Sequence, residues 1–352
     1  MACFILHLLL LFMLKIPHRF SLTTDTFASS TTVHVSPKGR DEENCGLMHK
    51  KCQTIDHVLK ESNNSNLKLI LENLQTQSIV YHTQGMLRPD SDYFQLRITK
   101  ESQNGTNPTI YGNGLPFIQP KGAFSISIDQ VDLQNLVIIN SMNQNSSIAI
   151  SFRNLNIRTE ITGDFISTTN TNSNLKVTVQ SCVLISPTRN AWLNISMKKA
   201  TSFKSIIKLT NNTIRGGRFI IINVQVLDFS QTKIHNMVTD ILTENTSQFS
   251  SFIIYLKHIK NAVFRNKTTI KNSTFENFIY AYDSFIRMQN FNFQETNLEN
   301  GIISKDSSLT IQSIELQNTT VYGSAFYVSR SIFNANEIRV VDCVMKGRLS
   351  NV

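Results

Sequence analysis

The stretch IELQNTTVYG, residues 314–323, decides the fold. Two apolar residues sit two apart, Ile314 and Leu316; a polar run follows, then Val321 and Gly323. With Leu316 as anchor, equivalent anchors fall at Leu133, Phe152, Val179, Leu209, Phe229, Ile270, Phe293 and Val340. Five residues past the anchor the chain is apolar in all nine copies, from Ile138 to Met345. Two residues before it, only Thr268 breaks the apolar rule. At +2 the residue is always polar, most often Asn, and at +7 stand mostly turn residues such as Asn140, Gly216, Asn277 and Gly323. Alternation at −2 and 0 is the period of a half-buried strand. The shift by one that brings +5 back inward requires a polar corner, where asparagine tolerates left-handed backbone angles.

The anchors are separated by 19, 27, 30, 20, 41, 23, 23 and 24 residues, and the long gap suggests one degenerate copy near FIIYLKHIKN (252–261). A period of this size means one solenoid turn per copy. No stretch between copies has a helical period, so the expected fold is all-β: a parallel β-helix. Leucine-rich repeats share the −2, 0 and +5 spacing, but they also carry leucine near −5 and +8, and here those columns are mixed or polar.

The chain has 352 residues, 17% of them charged and 41% hydrophobic, which excludes a disordered polymer. The net charge of +9 is not gathered into a run that would mark a nucleic-acid partner. Its densest patch, MKKATSFK (197–204) with Lys198, Lys199 and Lys204, reads as a solvated loop or a surface for an anionic glycan. The apolar run from Ala2 to Leu14 is too short to span a bilayer and fits a signal peptide over residues 1–30, with small residues at Ala28–Ser30; an uncleaved anchor is the alternative. Nine Asn-x-Ser/Thr triplets agree with export: Asn63, Asn104, Asn145, Asn194, Asn211, Asn245, Asn266, Asn272 and Asn318. The expected location is secreted or on the outer face of the plasma membrane. Membrane attachment would need an uncleaved N-terminal segment or a longer chain.

Cys45 and Cys52, seven apart, suit a local disulfide in an exported chain; His49 and His57 lie nearby but not in a metal-ligand spacing. Cys182 and Cys343 share the +3 column six coils apart, about 29 Å at roughly 4.8 Å per coil, too far to pair. In TIDHVLKES (54–62), Ile55, Val58 and Leu59 stand at helical spacing before LKLILE (67–72), a first strand. Residues 31–66 are therefore expected to cap a β-helix over 67–352. Only RLSNV follows the last copy at Gly347, which suggests a fragment of a longer surface protein.

VHVSPKGRDEENCGLMHKKCQTIDHVLKE (33–61), followed by coils of this type, resembles the opening of secreted proteins of the pectin-lyase-like, right-handed parallel β-helix superfamily. The resemblance implies a three-sided right-handed solenoid with a short N-terminal capping helix. Enzymes of that superfamily carry acidic signatures on an outer sheet. The polygalacturonase strings Asn-x-Asp, Asp-Asp and Gly-His-Gly do not occur here, and Arg-x-Lys occurs once, at Arg265–Asn266–Lys267. The aspartates nearest an aligned copy are Asp129 and Asp132. His235 and His258 read as surface corner residues, and Trp192 as a packed side chain or a sugar-stacking one. The reading is a noncatalytic extracellular β-helix, a structural, adhesive or glycan-facing scaffold with glycans or other cell-surface proteins as partners and no cofactor. The alternatives are a lyase or hydrolase of polyuronates and a leucine-rich-repeat binding protein.

Overall fold

The computed structural model describes residues 30–61, 65–85, 93–119, 122–140, 147–160, 163–171, 174–186, 190–198, 204–235 and 252–351. Residues 1–29 of the expected signal segment, Asn63, Asn145, Asn245 and Lys199 lie outside these residues. Nearly every strand pairs in parallel with strands from the coils before and after it in sequence. Val33, Leu69, Ile98, Ile128, Phe152, Val179, Leu209, Phe229, Phe264, Met288, Ile311 and Ala335 stand in one register column. Each is a rung of one coil. The chain is a right-handed parallel β-helix, as the handedness of parallel crossovers requires. A leucine-rich repeat is excluded, because every side of the coil is strand.

Each coil has three sides. The first and second merge into one 19-stranded sheet, and the third forms a 10-stranded sheet. Inward side chains stack like on like. Phe229 lies flat on Phe264 at 4.9 Å between ring centres, and Phe278 meets Phe293 edge-on at 5.3 Å. Eight of the nine anchors are at most 3% exposed; Val340, on the last rung, is 42% exposed.

The repeat proves to mark corners rather than whole coils. All nine +2 residues, Asn135, Asn154, Ser181, Asn211, Gln231, Asn272, Glu295, Asn318 and Asp342, have φ between 48° and 56°. The residue after each turns inward, buried as Leu155, Cys182, Asn212, Thr232 and Thr319 and half-buried at Cys343. But Phe152, Val179, Leu209 and Phe229 precede the first corner, whereas Leu133, Ile270, Phe293, Leu316 and Val340 precede the second. In the nine aligned copies either corner uses one left-handed residue followed by an inward one, so their sequences superpose. The third corner follows the same rule at Asn223, His258, Asp283, Asp306 and Arg330, with φ of 46° to 58°. There the inner hydroxyls form a ladder: Ile259 N donates to Ser284 Oγ, Ser284 N to Ser307 Oγ and Ser307 N to Ser331 Oγ, at 3.0–3.1 Å.

Two expectations are corrected by this geometry. The 41-residue gap hides no extra coil, because Phe252–Lys257 is the third side of the coil that holds Val226–Ser230. And Cys182 and Cys343 occupy different corners, the first and the second; both are free thiols. Burial pushes the Cys182 thiol up to about 11.

The N-terminal segment contributes a rung as well as a cap. Strand Thr31–Val35 pairs with Asn66–Leu71, so the first strand lies earlier than expected. Its far edge is closed by the Cys45–Cys52 hairpin, which is disulfide-bonded. His34 N donates to Gly46 O, Ser36 N to Cys52 O and Cys52 N to His34 O, at 2.8–3.0 Å. The helix α1 (Ile55–Glu61) starts at Thr54, whose Oγ1 accepts His57 N at 3.1 Å, and lays Ile55 and Val58 on the core.

Candidate functional site

The N-terminal cap holds a cleft of about 370 Å³, lined by Ser36, Lys38, Arg40, Glu42, His49, Lys50, Lys51 and Glu72 among others. Gly39 lets two backbones meet at its wall: a Cβ there would stand 2.4 Å from Lys51 O. The floor is an ion cluster drawn from the hairpin and successive rungs. Leu71 and Lys100 are register partners, so Glu72 and Glu101, which follow them, stack on adjacent rungs. Lys51 Nζ lies 2.9 Å from Glu101 Oε2 and 3.8 Å from Glu72 Oε1. His34 Nδ1 faces Glu101 Oε1 at 3.4 Å. Beneath them the Tyr81 hydroxyl is 3.1 Å from the carbonyl oxygens of Val35 and Glu72, and burial, reinforced by the Glu72 charge, pushes its pKa above the usual phenol value. On the rim Lys50 is paired with Glu42 at 3.6 Å, while Lys38 and Arg40 add cationic charge, which suits a small anion or an acidic sugar.

Beside the cleft, Asp41, Cys45 and His57 place possible metal-ligating atoms within 4.8 Å of one another. Cys45 is committed to the disulfide and offers no thiolate. Asp41 accepts hydrogen bonds from Gln53 N, Thr54 N and Thr54 Oγ1 at 2.6–2.9 Å. Its partial burial, which raises a carboxyl pKa, is outweighed by the Thr54 and Gln53 hydrogen bonds, so the pKa lies below the ordinary carboxylate value. These residues tie the cap to its helix.

The residues singled out from sequence do not converge on one place. Asp132 accepts Asn156 N, Asn156 Nδ2 and Asn107 Nδ2 at 2.9–3.0 Å, and Asp129 accepts Asn154 Nδ2 at 3.2 Å. Both aspartates therefore cross-link neighbouring rungs. Trp192 is 2% exposed; its Nε1 donates to Gly216 O at 2.9 Å and its ring meets Phe165 edge-on, so it packs the core and stacks on no sugar. His235 is half-buried, and burial together with the cations Arg215, Lys233 and Lys271 holds its pKa below the usual imidazole value. His258 pairs with Asp283 at 2.7 Å on the third corner. Arg265 reaches Asp228 at 3.6 Å while Lys267 faces solvent. Lys198 and Lys204 are exposed. Among the sequons, Asn104 is exposed on a loop, Asn194 donates its amide to Asp164 Oδ2 at 2.7 Å, and Asn266 is exposed with its amide 3.1 Å from Ser230 Oγ. The Lys51–Glu72–Glu101–His34 cluster escaped the sequence reading, because its members come from separate coils and share no spacing.

No family model and no curated protein matches the chain. Among solved structures it is similar to the GH136 lacto-N-biosidase from Eubacterium ramulus. The selenomethionine derivative gives 9% identity over 88% of this chain and 67% of that one, with a TM-score of 0.38. The native protein gives 7% identity over the same shares and a TM-score of 0.34. The pectate lyase Pel9A gives 8% identity over 88% of this chain and 79% of that one, with a TM-score of 0.25. Likeness at this level carries no activity across. No helix among the described residues is long and apolar enough to cross a membrane.

Proposed function

We propose that the chain is a noncatalytic, exported β-helix that serves as a glycan-facing scaffold at a cell surface, its first 30 residues acting as a signal peptide. One observation carries the reading: among the described residues, the four carboxylates singled out here, Asp129, Asp132, Glu72 and Glu101, each have a structural partner. Asp129 and Asp132 are held by asparagine amides. Glu72 and Glu101 share Lys51. The cationic rim of the cap cleft and the local disulfide fit an extracellular surface that meets acidic sugars.

A second reading, hydrolysis or lyase cleavage of polyuronates, is favoured by the same cluster. Stacking on adjacent rungs sets two carboxyl groups about 5 Å apart, the separation used by retaining glycosidases. The deciding experiment incubates the purified chain with polygalacturonate and other uronic-acid polymers, with and without calcium, and follows unsaturated products and new reducing ends. No turnover is expected. Turnover that Glu101→Gln abolishes without lowering the melting temperature would establish the second reading instead.

A further inference from the structure

Asp41, Cys45 and His57 come from three parts of the cap: the loop before the hairpin, the hairpin itself and α1. Their ligating atoms nevertheless lie within 4.8 Å of one another. Two of the three have a structural duty. Asp41 accepts Gln53 N, Thr54 N and Thr54 Oγ1, and Cys45 is bonded to Cys52. The His57 side chain has none. Its backbone N–H donates to Thr54 Oγ1, but among the described residues no hydrogen bond engages its imidazole. A half-buried imidazole is thus held beside a carboxylate and a sulfur without a structural bond of its own. His49, on the hairpin turn, lines the cleft and is not part of this group.

The bond to Cys52 withholds Cys45 as a ligand only while it stays oxidised. Reduction by an external thiol breaks it: each protein sulfur gains a hydrogen, and two external thiols leave as their disulfide. Cys52 then joins the set, because its Cα stands 5.0 Å from that of Cys45, close enough for both sulfurs to reach one ion. Cys45, Cys52, His57 and Asp41 together offer two sulfurs, one nitrogen and one oxygen. Those are the donors and the number that Zn²⁺ takes in a tetrahedral site, and thiolates with an imidazole do not suit calcium or magnesium. The two thiols give up their protons to solvent as the metal binds. Asp41 is already oriented for the task. Oδ1 takes two of its three hydrogen bonds and Oδ2 takes one, so Oδ2 keeps a lone pair. Burial is graded to admit an ion from outside: Cys52 is 2% exposed, Cys45 and His57 are half-buried, and Asp41 is exposed.

We propose that the cap is a redox-gated zinc site: when reduced, Cys45, Cys52, His57 and Asp41 hold one Zn²⁺, which closes the same loop that the disulfide closes when oxidised. The site stands apart from the scaffold reading and neither supports nor needs it. The test reduces the full chain with a phosphine, which leaves as its oxide, removes the excess without oxygen and titrates with Co²⁺ and then Zn²⁺. Cobalt should give the visible bands of a tetrahedral thiolate site at one ion per chain, and zinc should displace it. Zinc should also shield Cys45 and Cys52, but not Cys343, from iodoacetamide, read peptide by peptide; this holds whether or not the reduced cap is folded before the metal arrives. The oxidised chain should give no thiolate bands. His57→Ala should weaken cobalt binding by about tenfold or more, with the melting temperature of the oxidised chain unchanged, and His49→Ala should alter neither. A reduced chain with neither cobalt bands nor zinc protection would overturn the proposal. So would undiminished affinity in His57→Ala, or bands that survive the double variant Cys45→Ser, Cys52→Ser and therefore arise at Cys182 or Cys343.

Discussion

The first and last rungs carry the same kind of strand and meet very different surroundings. At the N-terminal end, Val35 and Ile55 are fully buried, and the backbone edge of Thr31–Val35 is paired with the Cys45–Cys52 hairpin. On Ile332–Val341, Ile338 is 36% and Val340 42% exposed, although their register partners Ile314 and Leu316 are each 1% exposed. Inward apolar residues bury only when another layer lies over them. The strand pattern specifies a direction; burial comes from the neighbour.

The sharpest test of that contrast is a pair of truncations in one column. Leu316→Ala should cost about 2–5 kcal/mol by the cavity it leaves, whereas Val340→Ala should cost about 0.5 kcal/mol or less. Denaturant unfolding of the 352-residue chain measures both, and equal costs would mean that something covers the last rung in solution. Next in size is the clasp at the other end. Replacing Cys45 and Cys52 together by serine should lower stability by about 2–3 kcal/mol, from the entropy of the short loop that the bond closes. Hydrogen exchange should show that loss first in α1 and Thr31–Val35, and uniform loss along the solenoid would contradict a local cap. The smallest effect concerns Asp41. Its folded pKa is depressed, so its contribution to the cap is present above the ordinary carboxylate value of 3.8 and disappears as pH falls through the lower folded value. In Asp41→Asn the exchange rates of α1 should change less between pH 6 and pH 3 than in the wild type.

The solenoid was legible because its corners impose a rule on single residues. A left-handed residue followed by an inward one recurs at many of the bends, and asparagine meets the first requirement most easily. The same rule hid the division into sides, since first and second corners superpose in one alignment. The third corner was missed because its left-handed position holds His258, Asp283, Asp306 or Arg330 as well as asparagine. Corner chemistry also colours the sequons. Asn211, Asn266, Asn272 and Asn318 are all left-handed corner residues, and the threonine two places on, Thr213, Thr268, Thr274 or Thr320, lies in the strand beyond. Such triplets arise from the fold itself, which weakens them as a sign of export. The cap cleft left no local trace. Lys51, Glu72 and Glu101 are joined only by register, and register depends on the length of every intervening loop.

The near-constant repeat of the last coils has a mechanical corollary. Phe264, Met288, Ile311 and Ala335 follow one another at 24, 23 and 24 residues, and each coil bonds only to the two beside it. Such a stack behaves as a zipper: opening of one coil should spread to its neighbours coil by coil, and whole coils could be added or removed without disturbing those left in place.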